Sequence, residues 1–275
     1  MSTQMLIYER AVQLSSTTHK EWSVKTGSEY GFAKQVNSVP LVAVEFPQAA
    51  AEYSIVFAGT GDAMMPIAML GMREDENLYL DEKNTWNAKY IPAFIRRYPF
   101  VFSSNQDKST FTLCIDEEFS GCNQDNRGER LFDGDGERTQ YLENTLRFVN
   151  EYQGQFQRTQ LFCKKLQELD LLEPMQAQFT LSDGEQLRLA GFMAVSRERL
   201  KKLSDEQIAD LFKTDELELV YLHLQSMKNF TGMVGRTQTH KGDKADVAKP
   251  VEEKIDSKAA EEKLDSAAAV EKTQH

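Results

Sequence analysis

The stretch that decides the fold runs from Gly71 to Phe102, GMREDENLYLDEKNTWNAKYIPAFIRRYPFVF, where turn residues, aromatic side chains and two adjacent arginines are concentrated. The polar residues REDE separate the apolar run 65–72 from the segment 77–81. This order predicts a hairpin with REDE as the turn. In the second arm, leucines at alternate positions indicate a strand with one buried face. We therefore expect this stretch to lie beside an antiparallel sheet.

A short helix is predicted in the second half of the stretch. After Trp86 the apolar residues recur at helical spacing, at Tyr90, Ile91, Phe94 and Ile95. Pro92 suits the first turn of a helix, where its missing N–H matters least. Arg96 and Arg97 would close the last turn, where positive charge complements the helix dipole, and Pro99 would stop the helix. The sequence predicts about two helical turns followed by a strand.

Strand patterns flank this stretch on both sides. β-branched and apolar runs predict strands at Val39–Phe46 and Tyr53–Gly59, and a short connector separates them. Downstream, the strand after Pro99 is expected to return through the polar turn NQDK to Ser109–Glu118, which alternates apolar with polar residues, as a half-buried antiparallel strand does. The clearest hairpin joins MQAQFTL to EQLRLAGFMAV through a Ser-Asp-Gly turn in which Gly184 supplies positive φ. The sheet is therefore expected to be mostly antiparallel.

Helical patterns are concentrated in the C-terminal half of the chain. The longest covers Thr139 to Leu172, with a kink or break expected at Gly154 because the two apolar faces lose phase there. A capping box at Ser204 opens another helix, and Thr214 is expected to cap a third. A core-facing stripe on that third helix is predicted from Leu217, Val220, Tyr221, Leu224 and Met227. These patterns predict a single α+β domain.

Composition sets the domain limits and excludes several classes of function. The formal net charge of −11, from 43 acidic against 32 basic residues, argues against nucleic-acid binding, which needs clustered Lys and Arg. No apolar run approaches the roughly 20 residues of a membrane-spanning helix, so membrane insertion is not expected. After Val234 the chain is dominated by Lys, Glu, Asp and Ala. We therefore expect a domain over residues 1–234 and a charged, disordered tail over residues 235–275.

The cysteines indicate the compartment. Cys114, Cys122 and Cys163 are odd in number and form no CxxC motif, which is untypical of a disulfide framework or a closed zinc site. The N-terminus also lacks the apolar core of a signal peptide. Together these features predict a cytoplasmic protein.

Arg96 and Arg97 are the most suggestive candidates for binding. Adjacent guanidinium groups near Trp86, Tyr90 and Tyr98 could bind a carboxylate, a phosphate or an aromatic group of a ligand or protein partner by hydrogen-bonded forks and stacking. The structural alternative is internal pairing with the upstream acids Glu74, Asp75, Glu76, Asp81 and Glu82. The sequence leaves both interpretations open and indicates no catalytic residue here.

A metal-dependent enzyme is the competing hypothesis. His19 and Glu21 form an H-x-E pair, and His223 could supply the third ligand of a two-His, one-carboxylate site for Fe(II), as in non-haem iron oxygenases. Against this, His19 lies in polar sequence and His223 borders a core-facing stripe. No nucleophile elbow and no Cys–His pair accompanies the motif. The hypothesis therefore rests on three residues that the fold would have to bring together.

Several motifs resemble the SapC family. LGMREDENLYLDEKNTWNAKYIPAFIRRYPFVF is similar to the family's signature, in which an ENL(F/Y) segment, a Trp and a YxPAxxRRYPF block occur in this order. Supporting motifs are the loop LFDGDG, the hairpin FTLSDGEQLRLAGF and the segment YLHLQSMKNF near the end. The resemblance covers nearly all of residues 5 to 233. It does not extend into the tail.

The resemblance implies an accessory role and no defined reaction. The family takes its name from bacterial surface-layer protein clusters, and it has no established biochemical activity. Members tend to be encoded near TonB-dependent receptors and halogenase-like flavoproteins, and some are labelled peptide-transporter permeases, a label that the absence of apolar spans does not fit. The resemblance therefore implies a soluble accessory or binding protein, serving outer-surface transport or a halogenase-linked pathway together with a protein partner.

Overall fold

The computed structural model describes residues 6–27, 29–104, 110–181 and 183–240. Helices make up 37% and strands 24% of the structure, and the sheets are antiparallel and open, so the protein is the predicted α+β domain. The described strands are β1 (Ala11–Gln13), β2 (Ser23–Val24), β3 (Ser38–Pro40), β4 (Ile55–Ala58), β5 (Met65–Met69), β6 (Phe100–Ser104), β7 (Phe111–Asp116), β8 (Cys122–Asn123), β9 (Glu129–Arg130), β10 (Leu172–Thr180) and β11 (Gln186–Val195).

These strands form three sheets. The largest has the order β10-β11-β4-β5-β3, the second has the order β1-β7-β6, and the smallest has the order β8-β2-β9. The predicted hairpin of β10 and β11 is confirmed, with Thr180 opposite Gln186 and a bulge between Met175 and Ala177. The predicted pairing of the strand after Pro99 with the strand before Glu117 is confirmed in β6 and β7.

The longer helices lie in the C-terminal half, as predicted. The described helices are α1 (Ser16–His19), α2 (Phe46–Ala49), α3 (Ala93–Arg96), α4 (Gln140–Glu168), α5 (Arg197–Leu200), α6 (Asp205–Lys213), α7 (Glu216–Ser226) and α8 (Asn229–His240). The capping box at Ser204 is confirmed, because its hydroxyl accepts from the Gln207 amide and the Gln207 side chain accepts from the Ser204 amide. None of the described helices combines the length and hydropathy required to cross a membrane.

The predicted hairpin after β5 is wrong. β5 is paired on both edges, with β3 and with β4, so residues 77–81 have no edge to join. They form a loop instead, in which the Leu78 amide donates to the Leu70 carbonyl at 2.8 Å. A Cβ at Gly71 would lie 2.0 Å from the carbonyl oxygen of Glu76. The backbone of residue 76 therefore approaches residue 71 so closely that only glycine fits there.

The predicted two-turn helix is also too long. α3 is a single turn that begins after Pro92, because a residue before proline is driven away from helical geometry. Residues 87–91 belong to no helix or strand, and the Glu52 carboxylate accepts the amides of Lys89 and Tyr90 at 2.8 and 3.1 Å. Tertiary hydrogen bonds therefore replace the helical ones that the spacing predicted.

Two further predictions need correction, one of a strand and one of a helix. The run Val39–Phe46 was expected to be one strand, but it turns after β3 because the Glu45 carboxylate caps the Val42 amide and starts a short 3-10 turn. α4 passes through Gly154 without the predicted break. Gly154 lies in ordinary helical geometry in open space, so its lack of a side chain interrupts nothing.

The core face of α7 differs from the predicted stripe. Val220, His223 and Ser226 are buried, whereas Tyr221 is 50% exposed. The residue before this helix is Asp215 in a left-handed conformation, so Thr214 is not the cap. α8 continues past the predicted domain limit at Val234 to His240, and the rest of the predicted tail lies outside the described residues.

Two hydrophobic cores organise the domain. The main core lies around the five-stranded sheet and contains the apolar residues of the signature stretch, among them Tyr79, Trp86 and Phe94. A second core lies between the β1-β7-β6 sheet and the first turns of α4, with Ile115 and Leu142 at its centre. Residues 93–100 pass between the two cores.

We predict opposite effects of alanine at two glycines. Gly154→Ala should stabilise the protein by about 0.5–1 kcal/mol, because alanine is the better helix former and the site is open. Gly59→Ala should destabilise it by more than about 1 kcal/mol, because Gly59 has φ of +100° and its Cβ would lie 2.3 Å from the Ala63 carbonyl oxygen. Urea unfolding of both variants measures the difference, and equal midpoints would contradict the assigned backbone.

Candidate functional site

The aromatic residues of the predicted binding surface are mostly internal. Trp86 is 7% exposed, and its indole N–H donates to the Tyr53 hydroxyl at 2.9 Å. Tyr98 is also 7% exposed, stacks on Phe32, and donates its hydroxyl to the Asp116 carboxylate at 3.1 Å. Burial, and then the negative charge of that carboxylate, raise the pKa of Tyr98. Both rings anchor the fold through their polar atoms.

Arg97 points into the protein. It is 2% exposed, and its guanidinium carbon lies 4.5 Å from the ring centre of Phe94, 4.8 Å from that of Tyr152 and 5.7 Å from that of Tyr8. Rings placed around a guanidinium stabilise its charge through their π faces. Burial raises the pKa of Tyr8 to about 12, and the nearby Arg97 charge opposes that rise. Arg97 therefore belongs to the interior of the fold.

Arg96 points the other way and is exposed. Its Nε donates to the Ile91 carbonyl at 2.9 Å, and one terminal nitrogen lies 3.4 Å from the Tyr90 hydroxyl. Its guanidinium carbon lies 5.2 Å from the ring centre of Phe148 on α4 and 5.7 Å from that of Tyr90. These contacts fix the orientation of the side chain while donors on its outer edge face solvent.

The buried carboxylate of Glu45 positions the segment that carries Tyr90 and Arg96. Glu45 is 3% exposed and accepts from the Tyr90 hydroxyl at 2.6 Å, from the Ala93 amide at 2.6 Å and from the Val42 amide at 2.9 Å. Burial raises the pKa of Glu45, and these hydrogen bonds oppose the rise. The side chain joins the turn before α2 to the segment that carries Arg96.

The structure therefore corrects the expectation of one continuous surface. Of the five predicted residues, Arg96 is exposed and Tyr90 is half-buried, while Trp86, Arg97 and Tyr98 lie inside. Adjacent positions on a helical turn point about 100° apart, which is why the two arginines have different environments. Sequence reasoning missed Glu45, because one acid in an apolar run has no pattern that reveals three converging donors.

The predicted H-x-E pair is separated by the fold. His19 is 1% exposed, and its Nε2 lies 3.1 Å from a carboxylate oxygen of Glu117. Its Nδ1 lies 3.2 Å from backbone atoms of Ser15 at the start of α1. Glu21 is instead on the surface, 3.3 Å from Arg130. α1 ends between the two residues, so their side chains point to different partners.

His223 is fully buried, and both of its ring nitrogens are hydrogen-bonded to the backbone. Nε2 accepts from the Val195 amide at 3.0 Å, so Nδ1 carries the proton and donates to the Ile55 carbonyl at 2.9 Å. Burial lowers the pKa of His223 to about 4. The ring links α7 to strands β4 and β11.

These contacts bring no two members of the proposed iron site together. Throughout residues 6–27, 29–104, 110–181 and 183–240, no group of three or more His, Cys, Asp or Glu side chains is placed to hold a metal ion. The cysteines are also poorly suited to nucleophilic chemistry, because burial raises the pKa of Cys122 and Cys163 to about 12.

A groove is present at the open end of the second core. It has a volume of about 820 Å³ and lies between the β1-β7-β6 sheet, the first turns of α4 and the loop before that helix. Phe102, Phe111 and Leu113 line its sheet side, and Leu142 and Leu146 line its helix side. We call it the α4 groove. Its rings and leucines were predicted as strand and helix residues, but no sequence pattern showed that a space would remain between them.

The fold and its internal polar anchors define a single-domain α+β protein built on antiparallel sheets. The chain belongs to the SapC family, whose family model matches residues 14–233. Neither the curated proteins nor the solved structures contain a match to it. The match includes Arg96, Glu45 and the α4 groove from Leu14 onward, and it excludes the predicted tail.

We predict that His223 makes the stability pH-dependent. Its pKa is about 4 in the folded protein against about 6.5 unfolded, so the unfolded chain binds the proton more tightly. Stability is then fully present above about pH 6.5 and falls as the pH approaches 4, by up to about 3 kcal/mol. Urea unfolding at pH 7 and pH 4.5 should show a smaller loss in His223→Gln than in the wild type. An equal loss in both proteins would contradict this assignment.

We also predict the metal content of the purified protein. Because His19, Glu21 and His223 each have a different partner, iron, zinc and manganese should be well below one equivalent per chain after purification. Elemental analysis by mass spectrometry measures this directly. One equivalent of a metal that is lost in both His19→Ala and Glu21→Ala would restore the enzyme hypothesis.

Proposed function

We propose that this SapC-family protein is a non-enzymatic accessory protein that binds a protein partner through Arg96 and the rings around it. The observation that carries the proposal is the exposed guanidinium of Arg96, held in one orientation by the Ile91 carbonyl and by ring contacts to Tyr90 and Phe148. An arginine whose geometry is fixed before binding loses less conformational entropy when it forms an interface.

The surroundings of Arg96 have the composition of an interface centre. Tyr30, Tyr90 and Phe148 are half-buried. Burial raises the pKa of Tyr30, and the Arg96 charge opposes part of that rise. Tyrosine and arginine are the residue types enriched where interfaces concentrate their binding energy. We call Tyr30, Tyr90, Arg96 and Phe148 the Arg96 patch.

The chemistry of the partner follows from this patch. The outer donors of one guanidinium suit a carboxylate or phosphate oxygen, and the rings suit an apolar or aromatic neighbour of that anion. The binding surface of the partner would therefore present an acidic group beside an apolar one. We propose that the partner acts in outer-surface transport or a halogenase-linked pathway, and that the protein works in the cytoplasm, where its free cysteines stay reduced.

We predict that Arg96→Ala releases the partner. Tagged chain would be used to purify bound proteins, and each candidate would then be purified and its affinity measured by biolayer interferometry. The affinity should fall at least about tenfold in Arg96→Ala, as for an arginine at an interface centre. Arg96→Lys should give an intermediate loss, because it keeps the charge without the fork.

Arg158→Ala is the matched control. Arg158 is exposed on the same helix as Phe148, about 15 Å further along its axis, so its loss should leave binding unchanged. If every partner remains bound to Arg96→Ala with unchanged affinity, the patch has no role in binding. Thermal unfolding of the three variants checks that each is folded.

A further inference from the structure

We propose that Glu45 is a proton-linked positioning residue for the Arg96 patch, so that an anion binds Arg96 more tightly once Glu45 has taken up a proton. The inference rests on the proposed function, because it describes how the site that receives the acidic group of the partner is regulated. The geometry that carries it is a row of three polar groups, which runs from the buried carboxylate through the Tyr90 hydroxyl to the exposed guanidinium.

The Glu45 carboxylate is surrounded by donors. Its Oε1 accepts from the Tyr90 hydroxyl and from the Ala93 amide, both at 2.6 Å, and its Oε2 accepts from the Val42 amide at 2.9 Å. An ionised carboxylate only accepts hydrogen bonds, whereas a protonated one also has a proton to donate. Backbone amide nitrogens cannot accept that proton. Of these three donors, the Tyr90 hydroxyl is therefore the one that can accept a hydrogen bond from protonated Glu45.

The Tyr90 hydroxyl has one proton and two lone pairs, so the direction in which it donates depends on Glu45. While Glu45 is ionised, the phenol proton points inward, and the phenol oxygen lies 3.4 Å from a terminal nitrogen of Arg96. When a proton from solvent is added to Oε1 of Glu45, Glu45 donates to the Tyr90 oxygen and the phenol proton turns outward. Tyr90 then offers a donor beside Arg96 to a bound anion.

The charge of Glu45 acts in the same direction. Glu45 is 3% exposed, and burial raises its pKa, while the hydrogen bonds from Tyr90, Ala93 and Val42 and then the charge of Arg96 oppose that rise. The attraction is mutual, so an ionised Glu45 offsets part of the positive charge of Arg96. Protonation of Glu45 removes that offset, and an anion on the outer side of the guanidinium is then attracted more strongly.

The remaining titratable neighbours of Glu45 lie inside the protein. α2 carries no titratable side chain, whereas α4 contributes Tyr152. Burial raises the pKa of Tyr152, the Arg97 charge opposes that rise, and the Glu45 charge adds to it. The Arg97 guanidinium carbon lies 4.8 Å from the centre of the Tyr152 ring. Both side chains are buried, so an anion from solvent meets Arg96 and not Arg97.

The sign of the coupling follows from linkage. An anion at Arg96 repels the Glu45 carboxylate and competes for the charge that stabilises it, so the pKa of Glu45 is higher in the complex than in the free protein. Anion binding is therefore accompanied by proton uptake. The affinity is highest below the pKa that Glu45 has in the free protein, and it falls as the pH rises through the pKa that Glu45 has in the complex.

The test uses sulfate as the probe, because sulfate stays fully ionised between pH 5 and pH 8. Binding to the full-length chain is followed through the guanidinium Cζ signal of Arg96 in ¹³C-detected NMR at constant ionic strength, and Arg96→Lys assigns that signal. We expect sulfate to bind at least about threefold more tightly at pH 5 than at pH 8. The Cζ signal of Arg158, which is exposed on α4, is the internal control and should show no such dependence.

Two variants separate the two parts of the link. Glu45→Gln has no charge at either pH, so it should bind sulfate equally well at pH 5 and pH 8. Its amide group meets three donors, and thermal unfolding therefore checks that this variant is folded. Tyr90→Phe removes only the hydroxyl group, and it should reduce the ratio of the two affinities to less than about half of the wild-type value, because the outward donor is lost.

The possible failures of this proposal are distinguishable from failure of the proposed function. Equal sulfate affinities at pH 5 and pH 8 in the wild type would overturn the coupling and leave anion binding at Arg96 in place. If sulfate moves the Arg96 signal at neither pH, both the coupling and the anionic chemistry of the partner are wrong. A wild-type ratio that persists in folded Glu45→Gln, or that is unchanged in Tyr90→Phe, would overturn the link through Glu45 and Tyr90.

Discussion

The Glu45 carboxylate is the constraint on which the accessible chemistry depends. One buried side chain accepts hydrogen bonds from the Val42 amide, the Tyr90 hydroxyl and the Ala93 amide, and so it fixes where the loop before α3 ends and the helix begins. Because α3 is a single turn, its start decides the direction of every side chain on it. Arg96 consequently faces solvent and Arg97 faces the core.

Most side-chain contacts of the stretch Gly71 to Phe102 lie inside the protein. The Tyr53 hydroxyl accepts from the indole N–H of Trp86 and donates to the Tyr90 carbonyl, which ties the bend before β4 to the segment before α3. Arg236 on α8 stacks on Tyr79 at 4.3 Å and donates to the carbonyls of Leu78 and Asn87. Satisfied polar groups in a low-dielectric interior specify one arrangement of the elements around them. The chain's most distinctive sequence is therefore largely a structural anchor.

The exposed features lie where these internal contacts end. The Arg96 patch lies where the anchored segment emerges, and the α4 groove lies where the second core stops short of the sheet end. In the Arg96 patch, Phe148 lies on α4, whereas Tyr30 and Tyr90 lie in loops. Arg96 is already oriented by the Ile91 carbonyl and the Phe148 ring, and a side chain ordered in advance loses less conformational entropy when it forms an interface. The buried ring of His223 contributes stability and no surface chemistry.

The sequence by itself determined the α+β class, the β10–β11 hairpin, the β6–β7 pairing and the family, because local periodicity, turn residues and motif order carry that information. It did not determine the partners of β5, the length of α3 or the burial of Arg97. Those depend on long-range contacts: both edges of β5 are occupied, and Glu45 and Glu52 take amides that a longer helix would have used. The tertiary structure alone decided which arginine is accessible, because adjacent residues receive opposite environments only once a core exists.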